Sequence, residues 1–508
     1  MRTEKSIKNV IVAFISNFSN IIIGFISQAI FIKYLGEEYL GLNGLFSNLV
    51  SMLGIVELGL GSALIYHLYE PIAKKSIDEI KSLMQFYKKS YNIIALIITI
   101  LGLLITPFLN FFVETSLNVN IYIIFILFII DIVFSYLLSY KRSILYGNQE
   151  NYIVNAIHIL YTLFMNISQI IVLIYSKNYF YYLIIKIISR ILENIIITYI
   201  ANKKYPYIKD KNAKKLDNEI KKDVFKKVKG LFLHKIGSYL VLGTDNIIIS
   251  KFINLITVGI YSNYALISNG IKNLFSQIYY SITASVGNLL IEKEPEKSYD
   301  IYQKMLFMNY WLACFCSISF FIISKPFVTV WLGKNYILNN ITVFFLMIQL
   351  FLDIFGYTIG SFKTGAGIFH EDRWIPLLQS IINIVVSVIL VKSMGLTGVI
   401  IGTIVSQLLL YTYSYPKYVY EPIFKRNKLK YYKEMIQYLL LFLMTFTITV
   451  LLTKYININN SFIELIIYAT ICIIIPNIIT ILLFFRSKEF KYFINLIKSK
   501  IKKISVNK

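Results

Sequence analysis

The chain has 508 residues, 57% of them hydrophobic and only 15% charged, with a formal net charge of +24. Soluble domains carry charge on nearer a quarter of their residues, so this composition excludes an ordinary soluble enzyme. The charges cluster, and between the clusters lie apolar runs that reach the length of about 20 residues a helix needs to cross a hydrocarbon core. The runs lack the alternation of membrane-barrel strands, and in lipid every backbone polar group must pair internally, so they are read as helices.

In chain order the runs predict about fourteen transmembrane helices. The first six are 8–34, 40–67, 89–113, 119–143, 153–175 and 179–201, and the next six are 229–252, 256–290, 304–325, 338–361, 374–393 and 396–416. The last two are 432–453 and 462–485. The first run is too long for a secretory signal core and has no small-residue cleavage pattern, so it is kept as a helix.

The grouping into sixes follows from an internal repeat. Lys75-Ser76-Ile77-Asp78 returns 222 positions later as Lys297-Ser298-Tyr299-Asp300. The same offset carries Ser139-Tyr140-Lys141 onto Ser361-Phe362-Lys363, and Tyr152-Ile153 onto Trp374-Ile375. A second echo, Leu40-Gly41-Leu42 against Val258-Gly259-Ile260, lies at 218. Six spans separate the copies, which gives both the same orientation. The expected fold class is an all-α integral membrane protein with two six-helix lobes, related by a pseudo-two-fold axis along the membrane normal, plus two C-terminal helices. The expected domains are an N-terminal lobe 1–202, a basic linker 203–228, a C-terminal lobe 229–417, a linker 418–431, the two extra helices 432–486 and a basic tail 487–508.

Lysine and arginine are distributed unequally across such a membrane. Lys33, Lys177, Lys251, Lys325, Lys334, Lys392 and Lys454 fall on one side, and Lys186, Arg190, Lys235 and Lys272 fall within spans. All the others fall on the side that holds both termini, which the positive-inside rule places in the cytoplasm. The basic runs 203–229, 425–433 and 486–508 therefore set topology and meet anionic headgroups, and no nucleic-acid partner is expected. The long hydrophilic segments are all on that side and the outer loops are short. This argues against a membrane glycan polymerase or glycosyltransferase. Phosphate-loop, serine-hydrolase and zinc-protease motifs are absent from the sequence. The repeated Lys-Ser-x-Asp segment reads as an amphipathic helix over about 71–88 lying on the cytoplasmic surface, with a copy before span 9.

Cys314, Cys316 and Cys472 sit in apolar context as packing residues, and His67, His158, His234 and His370 show no ligand spacing; no metal site and no cofactor are expected. Ionisable residues inside spans carry more weight, because each is costly unless paired or hydrated. The acids are Glu57, Asp131, Glu193, Asp245 and Asp353. Lys272 lies deep in span 8 among Asn263, Asn269, Asn273, Ser276 and Gln277, a polarity unsuited to lipid. Span 1 adds Asn17 and Asn20, and span 2 adds Asn43 beside a seam of Gly44, Ser47, Asn48, Ser51 and Gly54. Either close helix packing or a hydrated wall accounts for this polarity, and the Lys272 charge favours the wall. Lys186, Arg190 and Glu193 share one face of span 6; Arg190 and Glu193 can neutralise each other, leaving Lys186 unpaired. The expected substrate-binding set is thus Lys272, Asn17, Asn20, Asn43, Asn263, Asn269, Asn273, Gln277, Lys186 and Arg190. The expected ion-coupling set is Glu57, Asp245 and Asp131, with a proton or sodium gradient as the source of energy.

The stretch Tyr34-Leu35-Gly36-Glu37-Glu38-Tyr39-Leu40-Gly41-Leu42-Asn43-Gly44, continued by Glu57-Leu58-Gly59-Leu60-Gly61, resembles the opening of bacterial polysaccharide exporters. So do Gly243-Thr244-Asp245-Asn246-Ile247, Val258-Gly259-Ile260-Tyr261-Ser262-Asn263-Tyr264 and Leu396-Thr397-Gly398-Val399-Ile400-Ile401-Gly402-Thr403. The whole chain is similar to the Wzx-type oligosaccharide flippases of the multidrug/oligosaccharidyl-lipid/polysaccharide exporter superfamily. The resemblance implies two lobes around a cleft that opens alternately to each side of the bacterial cytoplasmic membrane. It implies an undecaprenyl-pyrophosphate-linked oligosaccharide as cargo for capsule or teichoic-acid-type glycan export. It also implies cationic cleft residues for the pyrophosphate, and pathway partners such as a glycan polymerase and glycosyltransferases. Lipid II flippases of this kind carry an arginine in span 1, where this chain offers Asn17 and Asn20, a departure that argues against lipid II. The alternative within the superfamily is a multidrug cation antiporter, which calls for an acidic cleft.

Overall fold

The computed structural model describes residues 2–57, 60–210, 216–292, 294–454, 456, 458 and 460–506, and among them there are helices and turns but no strand. Eleven of its helices are long and apolar enough to cross a membrane. The three remaining expected spans, 179–201, 229–252 and 256–290, are also helical. They form Tyr179–Lys204, Asn218–Phe252 and Leu255–Ile291, of 26, 35 and 37 residues. Each exceeds the length of about 20 residues that a bilayer core requires. The first and third are set apart from the eleven by polarity: Lys186, Arg190 and Glu193 in one, Lys272 and its amides in the other. Four of the spans that start on the expected outer side begin on asparagine. Asn120, Asn178, Asn339 and Asn460 each accept hydrogen bonds from the first free backbone N–H groups of their helices.

The chain packs as two units. The first comprises residues 1–266 with 376–399, and the second 267–375 with 400–508. In each, the fourth span of a repeat is broken at the same place. In the first unit Ile121–Tyr136 gives way to Tyr140–Gly147, with Leu138 in the left-handed region (φ 67). In the second, Asn340–Phe355 gives way to Tyr357–Gly365 at Gly356. A break strands carbonyl groups that lipid cannot satisfy, so a neighbouring helix must. Asn194 Nδ2 donates to the carbonyls of Phe134 (2.6 Å) and Leu137 (3.1 Å). Asn309 Nδ2 donates to those of Ile354 (2.8 Å) and Phe355 (3.0 Å).

The flat surface helix expected over 71–88 is not formed. The helix Leu60–Lys74 ends at Lys75, whose φ of 56° turns the chain, and residues 77–88 are the first turns of the continuous helix Ile77–Ile105. Its copy likewise opens the 37-residue helix Pro295–Trp331. Helical spacing alone cannot separate a surface helix from the wet end of a long span. The expected span 40–67 is also divided, into Glu37–Leu53, a 3-10 turn Gly54–Glu57 and Leu60–Lys74.

The sequence echo at 218 has a structural meaning. Gly41 and Gly259 face each other within the first unit: a Cβ on Gly41 would lie 1.9 Å from the Leu255 carbonyl oxygen, and one on Gly259 2.2 Å from that of Glu37. Only hydrogen fits at this crossing, so the helices meet backbone to backbone. In the second unit the two C-terminal helices, Lys428–Lys454 and Ser461–Phe484, are fixed by aromatic contacts. Phe351 stacks on Phe442 at 4.0 Å, Phe307 meets Phe484 at 4.9 Å, and the Trp311 indole donates to Asn477 Oδ1 at 2.6 Å. The basic tail forms a further helix, Lys488–Val506.

Candidate functional site

Among the described residues, each unit holds a cluster of charges deep within its spans. In the first unit it is a network of ion pairs, in which Asp131 Oδ1, Arg142 Nε and Arg190 Nε are buried without a hydrogen-bond partner. Lys186 Nζ lies 3.2 Å from Asp131 Oδ2 and Arg190 Nε lies 3.5 Å from Asp131 Oδ1. Glu193 Oε2 takes both Arg190 (3.2 Å) and Arg142 (3.1 Å), while its Oε1 faces His158 Nδ1 at 3.0 Å. Arg142 is held in turn by Asn194 Oδ1 at 2.9 Å, so the network is tied to the broken fourth span. Lys186 is therefore not left unpaired: Asp131, on the neighbouring Ile121–Tyr136 helix, supplies the partner that a single-helix reading cannot see. Glu193 has no exposed side-chain surface, which a carboxylate tolerates when three partners surround it.

In the second unit Lys272 Nζ lies 3.2 Å from Asp353 Oδ2, and Gln407 Nε2 donates to Asp353 Oδ1 at 2.9 Å. Asp353 and Gln407 open onto a cavity of about 390 Å³ whose wall includes five tyrosines: Tyr279, Tyr280, Tyr357, Tyr411 and Tyr415. Tyr357 stacks on Tyr279 (5.7 Å) and donates to the Lys272 carbonyl at 3.3 Å. Two local features bring this wall together. The Leu396–Leu409 helix widens into a π-helix over Leu410–Tyr420, which turns Tyr411 and Tyr415 into the cavity. At the break in the fourth span, Gly356 leaves room for the Tyr411 hydroxyl. A Cβ there would meet it at 2.7 Å and obstruct its 2.5 Å bond to the Leu352 carbonyl. Gln407 Oε1 is buried without a partner, and the Tyr280 ring is 83% exposed.

The remaining expected residues are distributed as follows. Asn269, Asn273 and Gln277 lie on the Leu255–Ile291 helix that carries Lys272, and all three are exposed. Asn263 is fully buried in the first unit and accepts from Gln28 at 2.5 Å, its own Nδ2 unpaired. Asn43 accepts from the Tyr179 hydroxyl at 3.1 Å, and Asn17 and Asn20 are half-buried, with Asn20 Oδ1 unpaired. Glu57 is half-buried beside Gly61 and the Tyr91 hydroxyl, and Asp245 is half-buried and engaged by neighbours. The Lys235 side chain lies outside the described residues. Sequence reading named Asp353 only as an acid within a span and did not reach Gln407 or the tyrosines. With 40 tyrosines in the chain, residue type alone does not single out five.

The model of the polysaccharide biosynthesis protein family matches residues 6–286, more than half of the chain. Among solved structures, the lipid II flippase MurJ in an inward closed conformation is similar over 93% of this chain and 99% of its own, at 16% identity and a TM-score of 0.65. An inward-facing multidrug resistance MATE family transporter of the MOP superfamily is similar over 79% of this chain and 95% of its own, at 14% identity and a TM-score of 0.60. A point mutant of the Vibrio cholerae MATE transporter VcmN is similar over 80% and 93%, at 12% identity and a TM-score of 0.57. At these identities the likeness shows the fold, which is that of multi-pass membrane transporters. No curated protein matches the sequence.

Proposed function

The chain belongs to the polysaccharide biosynthesis protein family, and from that premise we propose that it is a flippase, not an enzyme, for an undecaprenyl-pyrophosphate-linked oligosaccharide. It carries the cargo from the cytoplasmic to the outer leaflet of the bacterial cytoplasmic membrane by alternating access, with both termini in the cytoplasm. It supplies capsule, teichoic-acid-type or related surface glycan, beside the glycosyltransferases and polymerase of the same pathway. One observation carries this reading: in the second unit five tyrosines, Gln407 and an aspartate paired with Lys272 line one cavity. A tyrosine ring offers an apolar face with a polar tip, which suits the two-sided surface of a sugar, and Gln407 Oε1 suits a sugar hydroxyl donor.

Asp353 supplies the coupling. While it is ionised, the Lys272 ammonium is engaged; when a proton or sodium ion neutralises it, the ammonium is released for an anion. Anion binding at Lys272 and cation binding at Asp353 then favour each other, as linkage requires. Replacing Lys272 with Ala in membranes of the producing cell, with insertion verified, tests this. Outer-face appearance of lipid-linked glycan falls if the reading holds and is unchanged if it does not. The Asp353 carboxylate is also the feature that favours a multidrug cation antiporter. Deletion of the gene separates the two readings: drug sensitivity with intact surface glycan supports the antiporter.

A further inference from the structure

Lys141 and Lys363 are repeat counterparts at offset 222, both buried at 5% and 8% exposure, yet they are treated differently. Lys363 is paired with the buried carboxylate of Asp372, which Ser414 also holds at 2.9 Å. At the same offset the counterpart of Asp372 is Glu150, but Glu150 is taken by Lys204 (2.7 Å) and the Tyr205 hydroxyl (2.9 Å). Lys141 is left with uncharged partners, Asn202 Oδ1 at 2.8 Å and the Ile208 carbonyl at 3.1 Å. Its charge is thus uncompensated by a carboxylate, which is costly for a buried ammonium.

Around Lys141 the first unit forms a cavity of about 480 Å³. Lys81, Lys88 and Lys89 reach it from one face of the Ile77–Ile105 helix, and Lys209 from the turn after the Tyr179–Lys204 helix. Asp210 is the one acid of the described lining, and it is engaged by Lys81 at 2.9 Å. The other cations have no carboxylate partner among the described residues. At the wall, Thr198 Oγ1 is buried without a hydrogen-bond partner.

We propose that this cavity is a binding site for a phosphate-bearing anion, a phosphate or diphosphate group, held by Lys88, Lys89, Lys141 and Lys209 with Thr198 as a hydroxyl donor. Several ammonium groups converging from three elements suit a group with several anionic oxygens better than a single carboxylate, and lysine binds phosphate as a point charge. The elements that line it end on the side that lysine distribution assigns to the cytoplasm. Two sources there carry this chemistry: an anionic phospholipid headgroup, and the phosphate of a soluble or lipid-linked metabolite. The proposal stands without the flippase reading, since its test measures binding alone.

Full-length protein in neutral detergent is titrated calorimetrically with inorganic pyrophosphate. Saturable binding is expected, weakened at least about tenfold in Lys88→Ala/Lys89→Ala/Lys209→Ala, three exposed positions that do not support the core. The charge-preserving Lys88→Arg/Lys89→Arg/Lys209→Arg retains it. Lys488→Ala/Lys491→Ala/Lys498→Ala, which removes the same formal charge elsewhere, leaves it unchanged. No saturable binding to the wild type, or equal loss in both alanine triples, overturns the proposal. Repeating the titration in nanodiscs identifies the source. Weaker apparent pyrophosphate binding in phosphatidylglycerol than in phosphatidylcholine assigns the site to a lipid headgroup, and equal binding assigns it to a metabolite phosphate; both uphold the phosphate chemistry.

Discussion

The two charge clusters within the spans use similar residues and arrive at opposite results. Their lysines are equally accessible, with side-chain exposures of 24% for Lys186 and 23% for Lys272. The carboxylates differ: Glu193 is fully covered and Asp131 is 12% exposed, whereas Asp353 is 26% exposed on a cavity wall. Two acids in the first unit bind three permanent cations and a histidine, and the same asparagine that holds Arg142 also satisfies a broken helix. One acid in the second unit binds one lysine and one amide, with an unpaired oxygen beside it. A charge within a span is thus not evidence of a ligand site until its partners are counted. The first cluster joins helices through several ion pairs, and the second, with fewer partners, is the one proposed to exchange them.

The sharpest way to break this contrast is Glu193→Ala, which leaves Arg142 and Arg190 facing each other without their shared carboxylate. Loss of one partner of a buried pair costs about 3–5 kcal/mol, so the thermal melting point in detergent falls steeply. A variant that melts like the wild type removes the fastening role. For Lys272 and Asp353 the single alanine variants and the double variant form a cycle. Coupling of about 0.5–3 kcal/mol is expected, with the double variant no less stable than the worse single one; additive losses mean that the two groups act separately. Lys186→Ala is milder than Glu193→Ala, because Arg190 still lies 3.5 Å from Asp131: the melting point falls less and transport is retained. Tyr280→Ala leaves the melting point unchanged and weakens apparent cargo affinity by an amount equivalent to about 0.5–1.5 kcal/mol, if its open ring is a sugar platform.

Much of the architecture was legible because lipid makes it so: hydropathy and helix length gave the spans, and the lysine asymmetry gave a testable orientation. The repeat revealed more than topology, for Gly41 and Gly259 meet at a crossing that admits only hydrogen, and Lys141 and Lys363 occupy matching buried positions. What one helix shows of itself did not reveal its neighbours. Lys186 reads as unpaired in sequence because Asp131 lies on another span, and the segment 71–88 reads as a separate surface helix because its wet face continues a long span without interruption. The tyrosine cavity was illegible for the same reason. It depends on a π-helical widening at Leu410–Tyr420 and a break at Gly356, and neither has a periodicity that sequence alone declares.

The central claim is that the Lys272 ammonium, released from Asp353, holds the anionic part of the cargo. The most direct measurement is translocation of a lipid-diphosphate-linked oligosaccharide by purified protein in proteoliposomes, scored by outer-face accessibility to a glycosidase, for wild type and Lys272→Ala. The account predicts that the variant, once its insertion and folding are verified, translocates at least about tenfold more slowly, in keeping with loss of a charge-assisted contact. A variant that translocates at the wild-type rate contradicts it.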